Sequence, residues 1–95
     1  MGVTWDIRKN AANVKKHGLS FEEAAELLSS DLQLVLFDED HSEEEVRYIS
    51  IGPIARGTVV VVWTERHEDV VRIISARFAT PREQAGFLQH MGGRT

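Results

Sequence analysis

The sequence predicts an α+β fold: two N-terminal helices, a four-stranded antiparallel sheet and a C-terminal helix. Three observations carry this. The apolar period is helical up to about residue 30 and changes to strand-like from Leu32. Helix start signals stand at Asp6, Ser20 and Thr80. The connections between the strand-like segments are short, which favours an antiparallel meander with the helices packed against it.

Residues 3–5 form a short extended lead-in, and Asp6 is placed to cap the first helix, expected to reach His17. Gly18 supplies a left-handed stop, and Lys15, Lys16 and His17 suit the negative end of the helix. On a helical wheel, turning about 100° per residue, Ile7, Ala11 and Val14 stack on one side and Lys9, Asn13, Lys16 and His17 on the other. The first group is the expected core face. "SFEE", residues 20–23, is a capping box that opens the second helix, expected to run to residues 29–30.

Strands are expected over residues 32–37, 46–51, 58–64 and 70–78, with turns at Gly52-Pro53, Arg56-Gly57 and 65–69. Thr80 as cap, Pro81 at the first helical position and Glu83 three residues after the cap open the last helix, which fades at Gly92-Gly93. No repeat, linker or low-complexity tract interrupts residues 1–95, so a single domain is expected.

Composition narrows the function classes. The absence of cysteine excludes a disulfide framework, a thiolate metal site and a cysteine nucleophile. The longest apolar run, residues 59–63, is too short to cross a bilayer, and the N-terminus has no signal pattern, so a cytoplasmic protein with no membrane partner is expected. The net charge of −4 conceals a division: residues 38–45 hold six of the fifteen acids, leaving nine against eleven Lys and Arg. Outside that segment the chain is mildly basic, and an anionic partner remains compatible with it.

Residue types that can move a proton and hold a phosphate are present. A histidine can exchange a proton near neutral pH, and an arginine fork can hold a phosphate through two parallel hydrogen bonds. His17 and Lys16 on the first helix, with Arg47, Arg72 and Arg77 on strands, are the candidate catalytic residues. Lys9, Asn13, Arg56 and Arg66 are candidates for holding an anionic partner. A wet outer helix face explains Lys9, Asn13 and Lys16 equally well, and C-terminal capping explains His17. Arg56 and Arg66 suit hairpin tips as readily as phosphate.

Side chains alternate along a strand, so Arg72 and Arg77 fall on opposite faces unless a bulge intervenes. Arg47 shares a face with Ile49 and Ile51, so a carboxylate such as Glu23 or Glu83 is expected beside it. Residues 38–45, with His41 and Ser42 among acids, lack metal-ligand spacing and read as a solvated loop, the alternatives being contact with a basic partner surface or a tether for Arg47 through the neighbours of Glu45. No metal and no cofactor is expected. Trp5 and Trp63 read as core rather than as platforms for bases.

"WD" at residues 5–6, Lys9, Asn13, "KHG" at 16–18, Phe21, "EA" at 23–24, "DHSEEEVR" at 40–47, "RIISAR" at 72–77, "AT" at 79–80 and Glu83 together resemble the BrnT family of bacterial toxins. The resemblance runs from Thr4 to about Glu83, with Ile7 and Phe78 departing from the usual residues. It implies a RelE-like fold and an endoribonuclease toxin of a type II toxin–antitoxin pair, acting on RNA without metal, with His17, Lys16, Arg47, Arg72 and Arg77 as candidate catalytic residues and Lys9, Asn13, Arg56 and Arg66 as candidates for binding RNA. The implied partner is a BrnA-like antitoxin with a ribbon-helix-helix domain, through which the complex would meet operator DNA. A binding module that partners a DNA-binding regulator without cleaving RNA is the alternative.

Overall fold

A computed structural model of the chain describes residues 2–41, 43 and 45–92. Its elements are β1 (Gly2–Thr4), α1 (Ile7–His17), α2 (Phe21–Leu28), β2 (Leu34–Phe37), a 3-10 turn (Glu39–His41), β3 (Arg47–Ile54), β4 (Gly57–His67), β5 (Val70–Phe78) and α3 (Pro81–Gly92). The expected α+β class is present, but the sheet has five strands and is mixed, in the order β1-β5-β4-β3-β2. The extended lead-in is itself a strand, paired parallel to β5 with Gly2 opposite Val70 and Thr4 opposite Arg72. Nothing local in residues 2–4 encodes this pairing, because the partner strand lies at the other end of the chain. No helix among the described residues is long and apolar enough to cross a membrane.

The helix ends follow their capping chemistry. The Asp6 carboxylate accepts from the Arg8 and Lys9 amides, and Gly18 closes α1 in the left-handed region at φ 70°. Ser20 and Glu23 complete a reciprocal capping box on α2. The face that α1 buries is nevertheless not the predicted one. Ile7 is 81% exposed and Val14 45%, whereas Asn13 is only 7% exposed. Relative to the predicted wheel, the helix is turned so that Asn10, Asn13 and His17 face inward.

Hydrogen bonds dictate that rotation. β1 covers only the first residues of β5, so the edge of β5 beyond it needs partners. Asn13 provides them: its Oδ1 accepts from the Ala76 N–H at 3.2 Å, and its Nδ2 donates to the Ala76 carbonyl at 2.7 Å and the Leu19 carbonyl at 2.8 Å. Asn10 similarly accepts from the Phe21 amide at 2.8 Å and donates to Glu22 at 2.7 Å. A buried main-chain group left without a partner costs about 1–3 kcal/mol, comparable to what burying one Val or Ile contributes. Polar pairing therefore decides which side of α1 faces the sheet.

The sheet has two unlike faces. Against one, α2 and Leu19 pack Phe21, Ala24 and Leu27 onto Val59, Val61, Ile73 and Ala76, with Trp5 and Trp63 against this core as expected. On the other, α3 sets Phe87 over Ile51 and Val60. Gln33 ties the first layer together by donating to the Leu27 and Ser30 carbonyls at the end of α2 and accepting from Ser50, which in turn accepts from Trp63. β3 and β4 run past their predicted ends, through Gly52-Pro53 and through residues 65–67. Gly52 is required there: a Cβ at this position would collide with the Leu32 carbonyl and lie 2.6 Å from Leu27.

The capped start of α3 doubles as an anchor. Glu83 accepts from the Thr80 N–H at 2.9 Å and takes a bidentate fork from Arg77 at 2.7 and 2.8 Å. The Arg77 fork, with the Thr80 amide, holds the Glu83 carboxyl at a pKa of about 2, below its ordinary 4.5.

Two outcomes follow from these bonds. Asn13→Leu should cost about 2–4 kcal/mol in urea unfolding, since it strands both main-chain groups of Ala76, while Val14→Ser should stay within about 0.5 kcal/mol; equal effects would mean that α1 is held by its apolar residues. Because the folded-state pKa of Glu83 is depressed, the stability it contributes is present above about pH 4.5 and is lost as the pH falls toward about 2. Glu83→Gln should therefore lower stability at neutral pH by about 1 kcal/mol, given the partial exposure of the pair, and leave it unchanged near pH 2. Urea midpoints at both pH values read the difference.

Candidate active site

The face of the sheet away from α1 and α2 is not fully covered by α3. Between α3 and the segment after β2 it forms an open groove of about 590 Å³, floored by Ile49, Ile51, Val60, Val62 and Ile74. Polar side chains rim the groove: Asp38, Asp40 and His41 follow β2, Arg47 opens β3, Ser75 and Arg77 come from β5, and Glu83 from α3. A second hollow of about 550 Å³ continues past Asp40, His41, Glu43, Glu45 and Arg47.

The sheet register explains how arginines far apart in sequence reach this face. Arg47 lies opposite Thr64, and Thr64 opposite Arg72, so all three share one row. Arg77 lies opposite Val60, itself opposite Ile51. The pairing shifts between Val62 and Trp63, whose partners are Ser75 and Ile73, so β5 carries one extra residue at Ile74. This bulge breaks the alternation and places Arg72 and Arg77 on the same face, contrary to strict two-residue periodicity. Arg72 nevertheless leans to Asp6, 3.9 Å away, and does not line the groove.

His41 carries the proton-transfer geometry. It ends the 3-10 turn, and its Nδ1 lies 3.2 and 3.1 Å from the two carboxylate oxygens of Asp38. The Asp38 side chain is 11% exposed and the imidazole 65%, so a largely buried carboxylate orients an accessible ring. Donation from Nδ1 to Asp38 leaves Nε2 as the basic nitrogen, the arrangement in which a third group aims a general base. Arg47 stands beside this pair, with Glu45 3.3 Å away as a carboxylate partner among the described residues. That partner is neither Glu23 nor Glu83, which are paired with Arg56 and Arg77. Ser42 and Glu44, in the same acidic segment, lie outside the described residues.

The other candidate residues are dispersed. Lys9 and Lys16 are exposed on α1 and His17 is half-buried at its end, all on the helix packed beside β5 behind the groove. Asn13 is inside the molecule, with its carboxamide donating and accepting as described. Arg56 donates to Glu23 at 2.9 and 3.1 Å and to the Gly18 carbonyl at 3.1 Å, and lies over the Phe78 ring at 5.3 Å. It fastens the turn between α1 and α2 to the β3–β4 hairpin. Arg66 is exposed near the end of β4, 3.9 Å from Glu45.

Only Arg47 and Arg77 of the nine candidates therefore line the groove, while His41 and Asp38 join them from the segment that reads as a solvated loop. The available signal was the Asp-x-x-His spacing, which one helical turn converts into a contact. Among the described residues no cluster of three or more His, Asp or Glu side chains is arranged to hold a metal ion. The electrostatics are mixed: among the described residues five carboxylates, Asp38, Asp40, Glu43, Glu45 and Glu83, line the two hollows beside two guanidinium groups. The exposed Arg8, Lys9, Lys15 and Lys16 of α1 form the basic surface.

A family model described as "Ribonuclease toxin, BrnT, of type II toxin-antitoxin system" matches residues 5–83. Among curated proteins, none matches the chain. Among solved structures, the crystal structure of the Brucella abortus ribonuclease toxin BrnT is similar, with a TM-score of 0.65 and 25% sequence identity over 84% of this chain and 97% of that one. By its sequence, over the span that contains both the capped helices and the groove, this chain belongs to the BrnT family of ribonuclease toxins of type II toxin–antitoxin systems.

Proposed function

We propose that this protein is a metal-independent endoribonuclease toxin that cleaves RNA in the cytoplasm and arrests translation, with His41 as its proton carrier. The observation that carries this reading is the pairing of His41 with Asp38 on the rim of the groove, beside Arg47. In the reaction, Nε2 of His41 takes the proton from a ribose 2′-hydroxyl. The 2′-oxygen attacks the adjacent phosphorus, the bond to the 5′-oxygen breaks, and that oxygen takes a proton from water in the open groove. The products are a 2′,3′-cyclic phosphate and a 5′-hydroxyl. Arg47 stabilises the extra negative charge of the phosphorane, a role that suits a planar fork of donors.

Arg77 acts at a distance. Both of its terminal nitrogens hold Glu83, so its contribution is to fix the groove wall and α3. Lys9 and Lys16 track the RNA backbone outside the groove, where phosphate contacts add affinity without choosing sequence. The BrnA-like ribbon-helix-helix antitoxin is the partner in this reading, and operator DNA is reached only through the toxin–antitoxin complex. The alternative, a binding module that cleaves nothing, is favoured by the excess of carboxylates over arginines around the groove.

Incubation of purified chain with a labelled RNA in excess EDTA separates these readings. Wild-type chain should leave cyclic phosphate ends, and His41→Ala should lower kcat by at least about 100-fold with an unchanged unfolding midpoint. Full activity in His41→Ala would remove His41 from the reaction, and the absence of cleavage by wild type, with and without ribosomes, would favour the binding module. Lys9→Ala with Lys16→Ala should leave kcat unaltered and reduce the salt slope of RNA binding by about 0.7 for each phosphate that is no longer neutralised; an unchanged slope would detach α1 from the RNA.

A further inference from the structure

The two edges of the sheet are treated differently. On one side the edge strand is β1, only three residues long, and past its end Asn13 of α1 occupies the main-chain groups of Ala76 in β5. On the other side, β2 is the last strand, and its sequence, Leu-Val-Leu-Phe, contains none of the proline, lysine or bulge devices that keep an exposed edge from pairing. Its main chain has a definite polarity. Asp38 donates its N–H to the Arg47 carbonyl, so Asp38, Leu36 and Leu34 turn toward β3. By alternation the N–H and C=O of Val35 and Phe37 point outward. Both side chains are also half-exposed, Val35 at 47% and Phe37 at 52%. Charge frames this edge at both ends, with Asp31 exposed before β2 and Glu39, Asp40 and Glu43 exposed after it.

We infer that β2 is the docking edge for the antitoxin, which adds an extended segment of alternating apolar residues, flanked by Lys or Arg, as a sixth strand. The inference rests on the toxin reading above and assigns its partner a place. Strand addition supplies affinity through main-chain bonds and specificity through alternate side chains. The acidic residues at both ends of β2 select a basic segment and disfavour an acidic one. The position also accounts for neutralisation. Leu36 lines the groove, and His41 follows β2 by one turn, so a strand laid on β2 closes the groove at the side of its proton carrier.

Residue-resolved amide exchange tests this without depending on cleavage. In the chain alone, Val35 and Phe37 should exchange rapidly. A synthetic nine-residue peptide with a valine–threonine core and two lysines at each end should slow both amides at least about tenfold, and the same core with glutamate ends should not. Both amides should likewise be slowed in the complex purified by co-expression with the antitoxin. Val35→Pro removes only the outward N–H, so it should retain the fold and lose the peptide. Val35→Lys, which keeps that N–H and adds a repelling charge, serves the same purpose if the proline variant unfolds. A complex that forms with Val35 and Phe37 still exchanging rapidly overturns the assignment, as does equal protection by both peptides. Concentration-dependent protection in the chain alone also overturns it by making a second copy the occupant. If exchange behaves as expected but no RNA is cleaved, the catalytic reading fails and the docking edge stands.

Discussion

The carboxamide of Asn13 is the constraint on which the arrangement depends. A strand in the middle of a sheet has neighbours on both sides, but β5 is covered by β1 only over its first residues. Beyond them one asparagine takes a strand's place at Ala76, accepting from its N–H and donating to its carbonyl while it also holds the Leu19 carbonyl. These bonds set the rotation of α1 and direct Arg8, Lys9, Lys15 and Lys16 to solvent. They also leave Ile7, Ala11 and Val14 exposed, a hydrophobic loss accepted because stranded main-chain groups would cost more.

With one face of the sheet committed to α1 and α2, the other is available for chemistry. Its walls are held by ion pairs that keep long side chains in place: Arg77 with Glu83 secures α3, and Arg47 with Glu45 sits at the start of β3. The same carboxylates dilute the positive charge around the groove. The bulge at Ile74 brings Arg72 to the face where Arg77 stands, but Arg72 turns to Asp6 and stays outside the groove.

Helix ends were the most legible features. Asp6, Ser20 with Glu23, Gly18 and Thr80-Pro81-Arg82-Glu83 place every helix start and the sharpest stop, because capping is satisfied within a few residues. Four of the five strands were legible, β4 from its β-branched run and β2 from the change of apolar period at Leu32. The fifth, β1, was not, since three residues pair only with the far end of the chain. The wheel of α1 misled because hydrophobic periodicity assumes that apolar contact decides the buried side, and here hydrogen bonds did. Of the candidate cations read from the sequence, Arg47 and Arg77 are the two that line the groove. His41 was masked by the acids around it, which resemble a solvated run until a 3-10 turn brings Asp38 against the ring.

By itself, then, the sequence determined the element order, the caps, the absence of thiol chemistry and, through motifs spread from residue 5 to 83, the family. These are local properties, or properties of residue identity. The tertiary structure decided the parallel pairing of β1, the rotation of α1, the shared face of Arg72 and Arg77, and the meeting of His41 with Arg47 around one groove. Each of those depends on main-chain groups or side chains far apart along the chain, where register, a single bulge and the pairing of buried polar groups outweigh the periodicity of any one segment.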